Sequence, residues 1–404
     1  MTEEGLKGAD MATEKRLPRR DWILLPCVFF GTAILLGGGA ELAARLIFTQ
    51  STTGIEHCAV LNDPTTGTRG IPNSLCYEKA LETPNIELKF NSCGHRAGME
   101  CGPKPARVYR IVMTGSSLPL GERVQQHETF AALLPAALSQ KTGRAVDLYN
   151  ESMFWGYTHS VTLRFKDVLA ARPDLILWII TPGDVERSAL VLPTTDEVGR
   201  WTSKSQVERI WLILKDTLAT KSGVTVITDL SERSRAVFVL RHFLYQSQSL
   251  YVKVAPLGID KDVGFLRDPM SALWNQALKQ VDSDTATFEA QASDAGVPLV
   301  VAFVPWRAQT AMVSMGQWPS GFDPYKLDDK VRSIVESHGA TYIDLLPEFR
   351  DITDSGQYFF PVDGHPNPKG HALLTRLLAK ELTSGAVAEL SVNRQSSVDD
   401  GGSR

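Results

Sequence analysis

Apolar residues in this chain occur in short, uninterrupted runs, a pattern typical of strands that are buried on both faces of a sheet. The runs are Val108–Thr114, Val146–Tyr149, Leu175–Ile180, Pro298–Val304 and Thr341–Leu345. Helical patterns lie between them or after the last one, at Glu128–Lys141, His159–Ala171, Leu327–Ser337 and Gly370–Leu382. Short apolar strands that alternate with helices predict an α/β fold, a three-layer α/β/α sandwich around a mostly parallel sheet.

The alternation is interrupted once, at about residues 185–280, where the helical patterns Gln206–Leu218 and Arg233–Val252 stand instead of strands. We predict a helical insertion that forms a cap or lid on a domain spanning residues 107–385. In the second pattern, arginines alternate with aromatic residues. This favours a helix that packs on the domain with a solvated basic edge, over one that faces a glycan or a membrane.

The segments on either side of this domain have a different composition. Residues 49–106 are rich in Thr, Gly, Pro and Asn without a sustained period, which predicts an irregular lead-in. The polar residues 386–404 predict a disordered tail.

The N-terminus has the composition of a membrane anchor. Four basic residues, at positions 15, 16, 19 and 20, precede the uncharged stretch Trp22–Ala40. As a helix, these residues reach about 28 Å, roughly one hydrocarbon core. The positive-inside rule predicts a cytoplasmic tail (1–21), a single-pass anchor (22–48) and a periplasmic or extracellular remainder. The alternatives are a signal peptide cleaved near Gly39-Ala40 and, with less support, a buried core helix.

Four of the five cysteines lie within 44 residues beyond the predicted anchor: Cys58, Cys76, Cys93 and Cys101. Four cysteines allow three connectivities. We favour sequential pairing, Cys58 with Cys76 and Cys93 with Cys101, because it closes the shortest loops. A zinc site is the rival, but the paired C-x₂-C spacing is absent. Disulfides agree with an oxidising compartment.

The overall charge adds one exclusion. The 404 residues carry a formal net charge of −4, so no excess of Lys and Arg indicates a nucleic-acid partner.

Chemically useful residues follow the predicted strands, at the edge where parallel sheets place their sites. Ser117 stands in a glycine-bounded turn after the first strand, where its hydroxyl and its N–H can face one pocket. Asn150 and Gly156 follow the second strand. Asp363 and His365 follow the last strand, two positions apart, so the carboxylate can orient the imidazole toward a serine.

In this order, the segments resemble the SGNH/GDSL hydrolases over about residues 86–383, apart from the insertion. The run Asp363-x-His365-x-Asn367-x-x-Gly370-His371 is the most specific part, and Arg110–Gly121 is next. Phe90–Arg96 is similar to the N-x-x-G-x-R lead-in of exported members.

The resemblance implies a flavodoxin-like fold that needs no metal or organic cofactor. It makes Ser117 the nucleophile, with its N–H an oxyanion donor, His365 the general base and Asp363 its orienting partner. Gly156 and Asn150 are the further candidates for the oxyanion hole. Trp155 and Trp306 are candidates for the pocket wall, although a structural role is favoured for both.

Three positions depart from the family pattern. Ser116 replaces the Asp of G-D-S, and Gly183 replaces the Asn of G-x-N-D, which removes one expected oxyanion donor. The spacing of Asp363 and His365 is D-x-H where the usual members have D-x-x-H. This shorter spacing is similar to the branch that O-acetylates exported polysaccharides.

Three functions are compatible with these features. The leading prediction is an extracytoplasmic serine esterase that acts on an acylated glycan or lipid of the cell envelope through an acyl-enzyme. The second is a polysaccharide O-acetyltransferase with the same triad. The third is a catalytically inactive SGNH-like binding protein, suggested by Ser116 and the missing Asn.

Overall fold

The structure, a computed structural model, describes residues 20–49, 52–63, 67–190, 233–257 and 263–391. The strands of these residues are β1 (Thr52–Thr53), β2 (Ala59–Asp63), β3 (Gly67–Gly70), β4 (Leu75–Lys79), β5 (Ile86–Lys89), β6 (Val108–Thr114), β7 (Ala145–Asn150), β8 (Leu175–Ile180), β9 (Leu299–Phe303) and β10 (Thr341–Asp344).

The α-helices of the same residues are α1 (Asp21–Ile47), α2 (Ser117–Leu120), α3 (Phe130–Thr142), α4 (Thr158–Leu163), α5 (Phe165–Ala170), α6 (Pro182–Leu190), α7 (Arg235–Gln246), α8 (Gln248–Val254), α9 (Ala272–Asp294), α10 (Arg307–Met315), α11 (Lys326–Ser337) and α12 (Pro368–Glu381).

The central sheet has five strands in the order β10-β9-β8-β6-β7, and every neighbouring pair is parallel. In chain order this is the flavodoxin-like arrangement 2-1-3-4-5. Its strand order reverses between β6 and β8. Ligand sites of such sheets lie outside the carboxyl ends of the strands at that reversal.

Both faces of the sheet are buried, as the uninterrupted apolar runs predicted. In β8, Ile176, Trp178 and Ile180 face one core, while the alternate residues of the strand face the other. The first core includes buried residues of α9 and α11, and the second includes those of α3 and α12. The predicted three-layer α/β/α sandwich is therefore confirmed.

The helical insertion differs from its prediction in two respects. The pattern predicted as one helix, Arg233–Val252, is two helices, α7 and α8, which meet at Ser247. Helix α9 begins at Ala272, within the range assigned to the insertion, but its residues Trp274 and Val281 belong to the first core. The predicted helix Gln206–Leu218 lies outside the described residues.

The segment between α1 and the sheet is less irregular than predicted. Strands β1, β4 and β5 form a small antiparallel sheet, and β2 pairs with β3. Their core includes Phe90 and continues into Leu120, at the end of α2. We call residues 52–106 the lead-in, and its core thus supports the turn that follows the first strand of the central sheet.

Two disulfides close loops in the lead-in. Cys58 pairs with Cys76, and Cys93 pairs with Cys101, as the sequence analysis favoured over a zinc site. At the other end of the chain, part of the predicted disordered tail is packed, because Val387 and Leu390 are buried in the second core.

Helix α1 is, among the described residues, the one helix long and apolar enough to cross a membrane. An 18-residue window in it has a mean hydropathy of 2.0, and none of that window is buried in the protein. Its last turns contact α7, where the Glu41 carboxylate accepts hydrogen bonds from the N–H groups of Arg235 (3.1 Å) and Ala236 (3.0 Å). Such a carboxylate stabilises the start of a helix.

Arg96 joins the lead-in to the loop after α2. The side chain is 1% exposed. Its guanidinium donates to the carbonyls of Leu120 (3.1 Å), Val124 (2.8 Å) and Glu87 (3.2 Å), and also to that of Gly121. Burial lowers the pKa of Arg96 to about 10, so the group stays charged at neutral pH.

We expect Arg96→Met to lower the free energy of unfolding by about 2–4 kcal/mol, because it leaves several buried carbonyls without a donor. Urea unfolding followed by circular dichroism measures the change. Arg376→Met is the matched control, since Arg376 is exposed on α12. Equal unfolding midpoints for the two variants would show that the Arg96 contacts add nothing to stability.

Candidate active site

Ser117, Asp363 and His365 meet at the carboxyl edge of the central sheet, where the strand order reverses. Ser117 begins α2, directly after β6, and is 7% exposed. Gly183 stands at the start of α6, after the neighbouring strand β8. Asp363 and His365 lie in the loop that leads into α12.

The three side chains are in hydrogen-bond contact. Ser117 Oγ lies 3.1 Å from His365 Nε2, across 248 residues of sequence. His365 Nδ1 lies 2.7 Å from Asp363 Oδ1, which also accepts the backbone N–H of His365 at 3.1 Å. With Nδ1 donating to the carboxylate, Nε2 is free to accept the serine proton.

The local chain explains how an acid and a histidine two positions apart face each other. Gly364 between them has a φ of 83°, in the left-handed region that glycine adopts without strain. The turn is closed on both sides, since Phe360 N–H donates to His365 O (2.9 Å) and Gly364 N–H donates to Phe360 O (3.0 Å). Asn367 then caps α12 by accepting from Gly370 N–H (3.1 Å).

Asp363 and His365 each shift the pKa of the other toward its charged form. Burial opposes ionisation of Asp363, but His365 and Arg123 outweigh it and hold the pKa of this carboxyl well below its ordinary value. Burial likewise disfavours the imidazolium, but the Asp363 carboxylate and, to a smaller extent, Glu122 raise the pKa of His365 above its usual value. The pair therefore stabilises a protonated His365.

Arg123 and the lead-in hold Asp363 from the other side. Arg123 Nε donates to Asp363 Oδ2 (2.9 Å), while its Nη1 binds Glu122 (2.9 Å) and the buried Glu78 of β4. Glu82, also in the lead-in, accepts from the N–H groups of Val362 (3.0 Å) and Asp363 (2.8 Å).

A cavity of about 380 Å³ opens in front of Ser117. Its wall includes residues of the insertion and of the loops after β6, β8 and β9, with five aromatic side chains: Tyr245, Tyr251, Phe265, Trp306 and Phe359. Of the two tryptophans considered from the sequence, Trp306 lines this cavity. Trp155 is 51% exposed and lines a neighbouring depression instead.

Gly156 and Asn150, the further candidates for the oxyanion hole, both donate hydrogen bonds to backbone carbonyls. Gly156 N–H donates to Met153 O (3.3 Å), and the Asn150 side chain donates to Pro119 O (2.8 Å). Neither residue lines the cavity. Both therefore shape the loops around the nucleophile.

Two backbone N–H groups are better placed. Those of Ser117 and Gly183 stand in the first turns of α2 and α6, where helices leave N–H groups without intrahelical acceptors. No described residue accepts from either group, and both residues line the cavity. A side chain at position 183 has no room, since its Cβ would stand 2.6 Å from Trp306 Cζ2. Trp306 thus explains why a glycine replaces the asparagine of the family pattern.

Asp184, the second half of that motif, has a structural place. Its carboxylate accepts from Thr181 N–H (2.8 Å) and from Thr181 Oγ1 (2.7 Å), which fixes the start of α6. Burial raises the pKa of Asp184, while the Ser116 hydroxyl is among the groups that favour its charged form. The serine at the family's Asp position therefore stands beside a carboxylate supplied by the next strand's loop.

Comparison with known proteins finds similarity only at the level of three-dimensional structure. No protein-family model and no curated protein matches the chain. The solved structures similar to it include hydrolases and esterases of the SGNH/GDSL type. One is the psychrotrophic esterase EstA from Pseudoalteromonas sp. (12% identity, 68% of this chain and 96% of that chain, TM-score 0.37).

Two other solved structures have similar identities, coverages and TM-scores. One is the lipase/acylhydrolase from Enterococcus faecalis (12% identity, 68% and 95% of the two chains, TM-score 0.33). The other is AlinE4, an SGNH-hydrolase family esterase (13% identity, 71% and 98%, TM-score 0.34). Likeness at this level does not assign an activity, which has to be argued from the site.

Asp363→Asn is expected to lower the pKa of His365, because the carboxylate that stabilises the imidazolium is lost while the burial remains. An NMR titration of the imidazole signals measures this, and the signal absent from His365→Gln identifies the residue. A pKa unchanged by Asp363→Asn would contradict the electrostatic coupling described above.

Proposed function

We propose that this chain is a membrane-anchored serine esterase of the SGNH/GDSL type that forms an acyl-enzyme on Ser117. The observation that carries the proposal is the contact of Ser117, His365 and Asp363 in series, at 3.1 Å and 2.7 Å, on the wall of a cavity. Residues from the first and the last loops of the sheet form one proton-transfer chain. That is the arrangement by which a serine is activated.

In the proposed reaction, Ser117 Oγ attacks the ester carbonyl carbon while His365 Nε2 takes the hydroxyl proton. The carbonyl oxygen becomes an oxyanion, which the N–H groups of Ser117 and Gly183 stabilise. The C–O bond to the alcohol then breaks, and His365 returns the proton to the leaving oxygen. Water, deprotonated by the same imidazole, hydrolyses the acyl-Ser117 ester and restores the free hydroxyl.

The retained triad also favours activity over an inactive binding protein. Gly183 lines the cavity, and its N–H is a second candidate oxyanion donor beside that of Ser117. Loss of one oxyanion donor slows such enzymes by about 10²–10³-fold. The missing asparagine is therefore expected to slow the reaction and not to abolish it.

Ser117→Ala and His365→Ala are expected to abolish turnover of 4-nitrophenyl acetate, and Asp363→Asn to reduce it by about 10³–10⁴-fold. The wild-type rate should rise with pH through the raised pKa of His365, because only the neutral imidazole accepts the serine proton.

Stopped assays on the full chain in nonionic detergent, with mass spectrometry of fluorophosphonate-labelled protein, measure these effects. Arg376→Met is the control for effects of mutagenesis and purification that do not involve the site. Equal background rates in all folded forms, without label on Ser117, would reject the esterase. Product that forms only when a polyol acceptor is present would identify the O-acetyltransferase alternative.

We further propose that the catalytic domain lies outside the membrane and that α1 is a single-pass anchor. Basic residues precede α1, two disulfides follow it, and its 27 residues extend about 40 Å. The envelope glycan or lipid ester expected from the sequence would then be reached from that side.

We expect a C-terminal alkaline phosphatase fusion to be active, because this reporter requires an oxidising compartment, and a fusion after Arg20 to be inactive. Intact-mass measurement of the purified chain shows whether the anchor is retained. The reverse pattern of reporter activity would overturn the orientation.

A further inference from the structure

Three arginines line the cavity in front of Ser117. Arg187 comes from α6, Arg241 from α7 and Arg307 from α10. Among the described residues that line the cavity, Asp363 is the one carboxylate, and it is already bound to Arg123 and His365. Asp363 therefore forms its ion pairs with Arg123 and His365 and not with Arg187 or Arg307.

Arg307 is buried in the cavity wall and contacts carbonyls and an aromatic ring. It is 2% exposed, donates to the carbonyls of Pro361 and Tyr245, and lies 4.0 Å over the ring of Tyr251. Its Nε is buried without a hydrogen-bond partner. Burial lowers the pKa of Arg307, and the carboxylates of Glu82 and Asp354 offset this only in part. Burial of a cation is costly, and an anionic ligand offsets that cost.

Arg187 stands next to the nucleophile. Its Nη1 donates to Gly156 O (3.2 Å). Gly156 packs so tightly on the nucleophile turn that a Cβ there would lie 3.0 Å from Ser116 Cα. One turn of α6 separates Arg187 from Gly183, so both residues lie on the same face of that helix. Burial raises the pKa of the nearby Glu122 and Asp184 carboxyls, and the charge of Arg187 offsets this only in part.

A guanidinium has five N–H donors, so one carbonyl contact leaves Arg187 able to bind a further oxygen pair. Carboxylate and phosphate oxygens are the groups that match this geometry. A neutral ester in the same cavity would offer neither guanidinium a direct ion pair.

We propose that the cavity selects esters whose acyl or alcohol part carries a negatively charged carboxylate or phosphate group, which Arg187 and Arg307 bind beside the scissile ester. This inference rests on the proposed esterase function, since Ser117 supplies the chemistry. It narrows the substrate from acyl esters in general to anionic ones.

Two matched pairs of substrates test the charge on each side of the ester bond. The alcohol side is tested by 4-acetoxybenzoate against its neutral methyl ester, and the acyl side by mono-4-nitrophenyl adipate against its methyl ester. The full chain in nonionic detergent should prefer the anionic member of at least one pair. Arg187→Met should reduce that preference, the ratio of the two kcat/KM values, by at least about tenfold, as expected for a lost charged hydrogen bond.

Arg187→Lys should keep part of the preference, and Arg376→Met should keep all of it. High salt should weaken the wild-type preference. An equal loss for the neutral and anionic esters in Arg187→Met would overturn the inference and assign Arg187 to the reacting carbonyl. A wild-type enzyme without charge preference would overturn it as well.

A separate measurement distinguishes this inference from the esterase proposal. Calorimetric titration of Ser117→Ala with 4-acetoxybenzoate and with its methyl ester reports binding without turnover. If no ester is hydrolysed, tighter binding of the anion that is lost in the Ser117→Ala/Arg187→Met double variant still supports the anion site. Equal binding of both compounds would reject the anion site.

Discussion

The arrangement of the candidate active site depends on the negative charge of Asp363. A carboxylate in a partly buried place tends to take up a proton, and a neutral Asp363 would no longer stabilise the imidazolium of His365. The ionised carboxylate is favoured by its contacts with the Arg123 guanidinium, with the ring of His365 and with the backbone N–H of His365. Glu82 fixes the loop from the other side by binding the N–H groups of Val362 and Asp363. The lead-in, which precedes the sheet in sequence, is therefore part of the site.

The same contacts extend to the apolar helix α1. Glu82 Oε1 lies 2.6 Å from His242 Nδ1 on α7, and the ring of His242 packs against Phe48 at 5.6 Å. Glu41, near the end of α1, caps the start of α7. Helix α7 also contributes Arg241 to the cavity wall. A continuous series of side-chain contacts thus runs from the end of the apolar helix to the loop of Asp363.

The central sheet was predictable because its strands are buried on both faces, so the apolar runs coincide with the strands. Val108–Thr114 and Leu175–Ile180 were predicted with the bounds that the structure has. The close approach of Ser117, Asp363 and His365 was predictable because parallel strands end at one edge. The short strands of the lead-in were missed because Gly, Pro and Asn interrupt them and no strand exceeds five residues.

The Ser117 N–H was predicted as a donor, but the Gly183 N–H could not be predicted from the sequence, because its place depends on space between distant segments. Position 183 lacks room for a side chain because of Trp306, which is remote in sequence. Arg187 and Arg307 went unnoticed, since nothing in their local sequence distinguishes them from solvated arginines. Arg241 belongs to the pattern Arg233–Val252, whose arginines were predicted to lie on a solvated basic edge of a helix. Its spacing of four residues from Tyr245, whose ring lies 5.2 Å from its guanidinium, was the available signal.

The 248 residues between Ser117 and His365 determine when the chain can become reactive. A ribosome makes the nucleophile long before it makes the base, and four of the five strands of the central sheet, β7 to β10, are synthesised in the interval. A nascent or truncated chain that stops before residue 365 therefore exposes an ordinary serine, with the low reactivity of any alcohol. In the proposed reaction, ester hydrolysis therefore requires a chain whose central sheet has been completed.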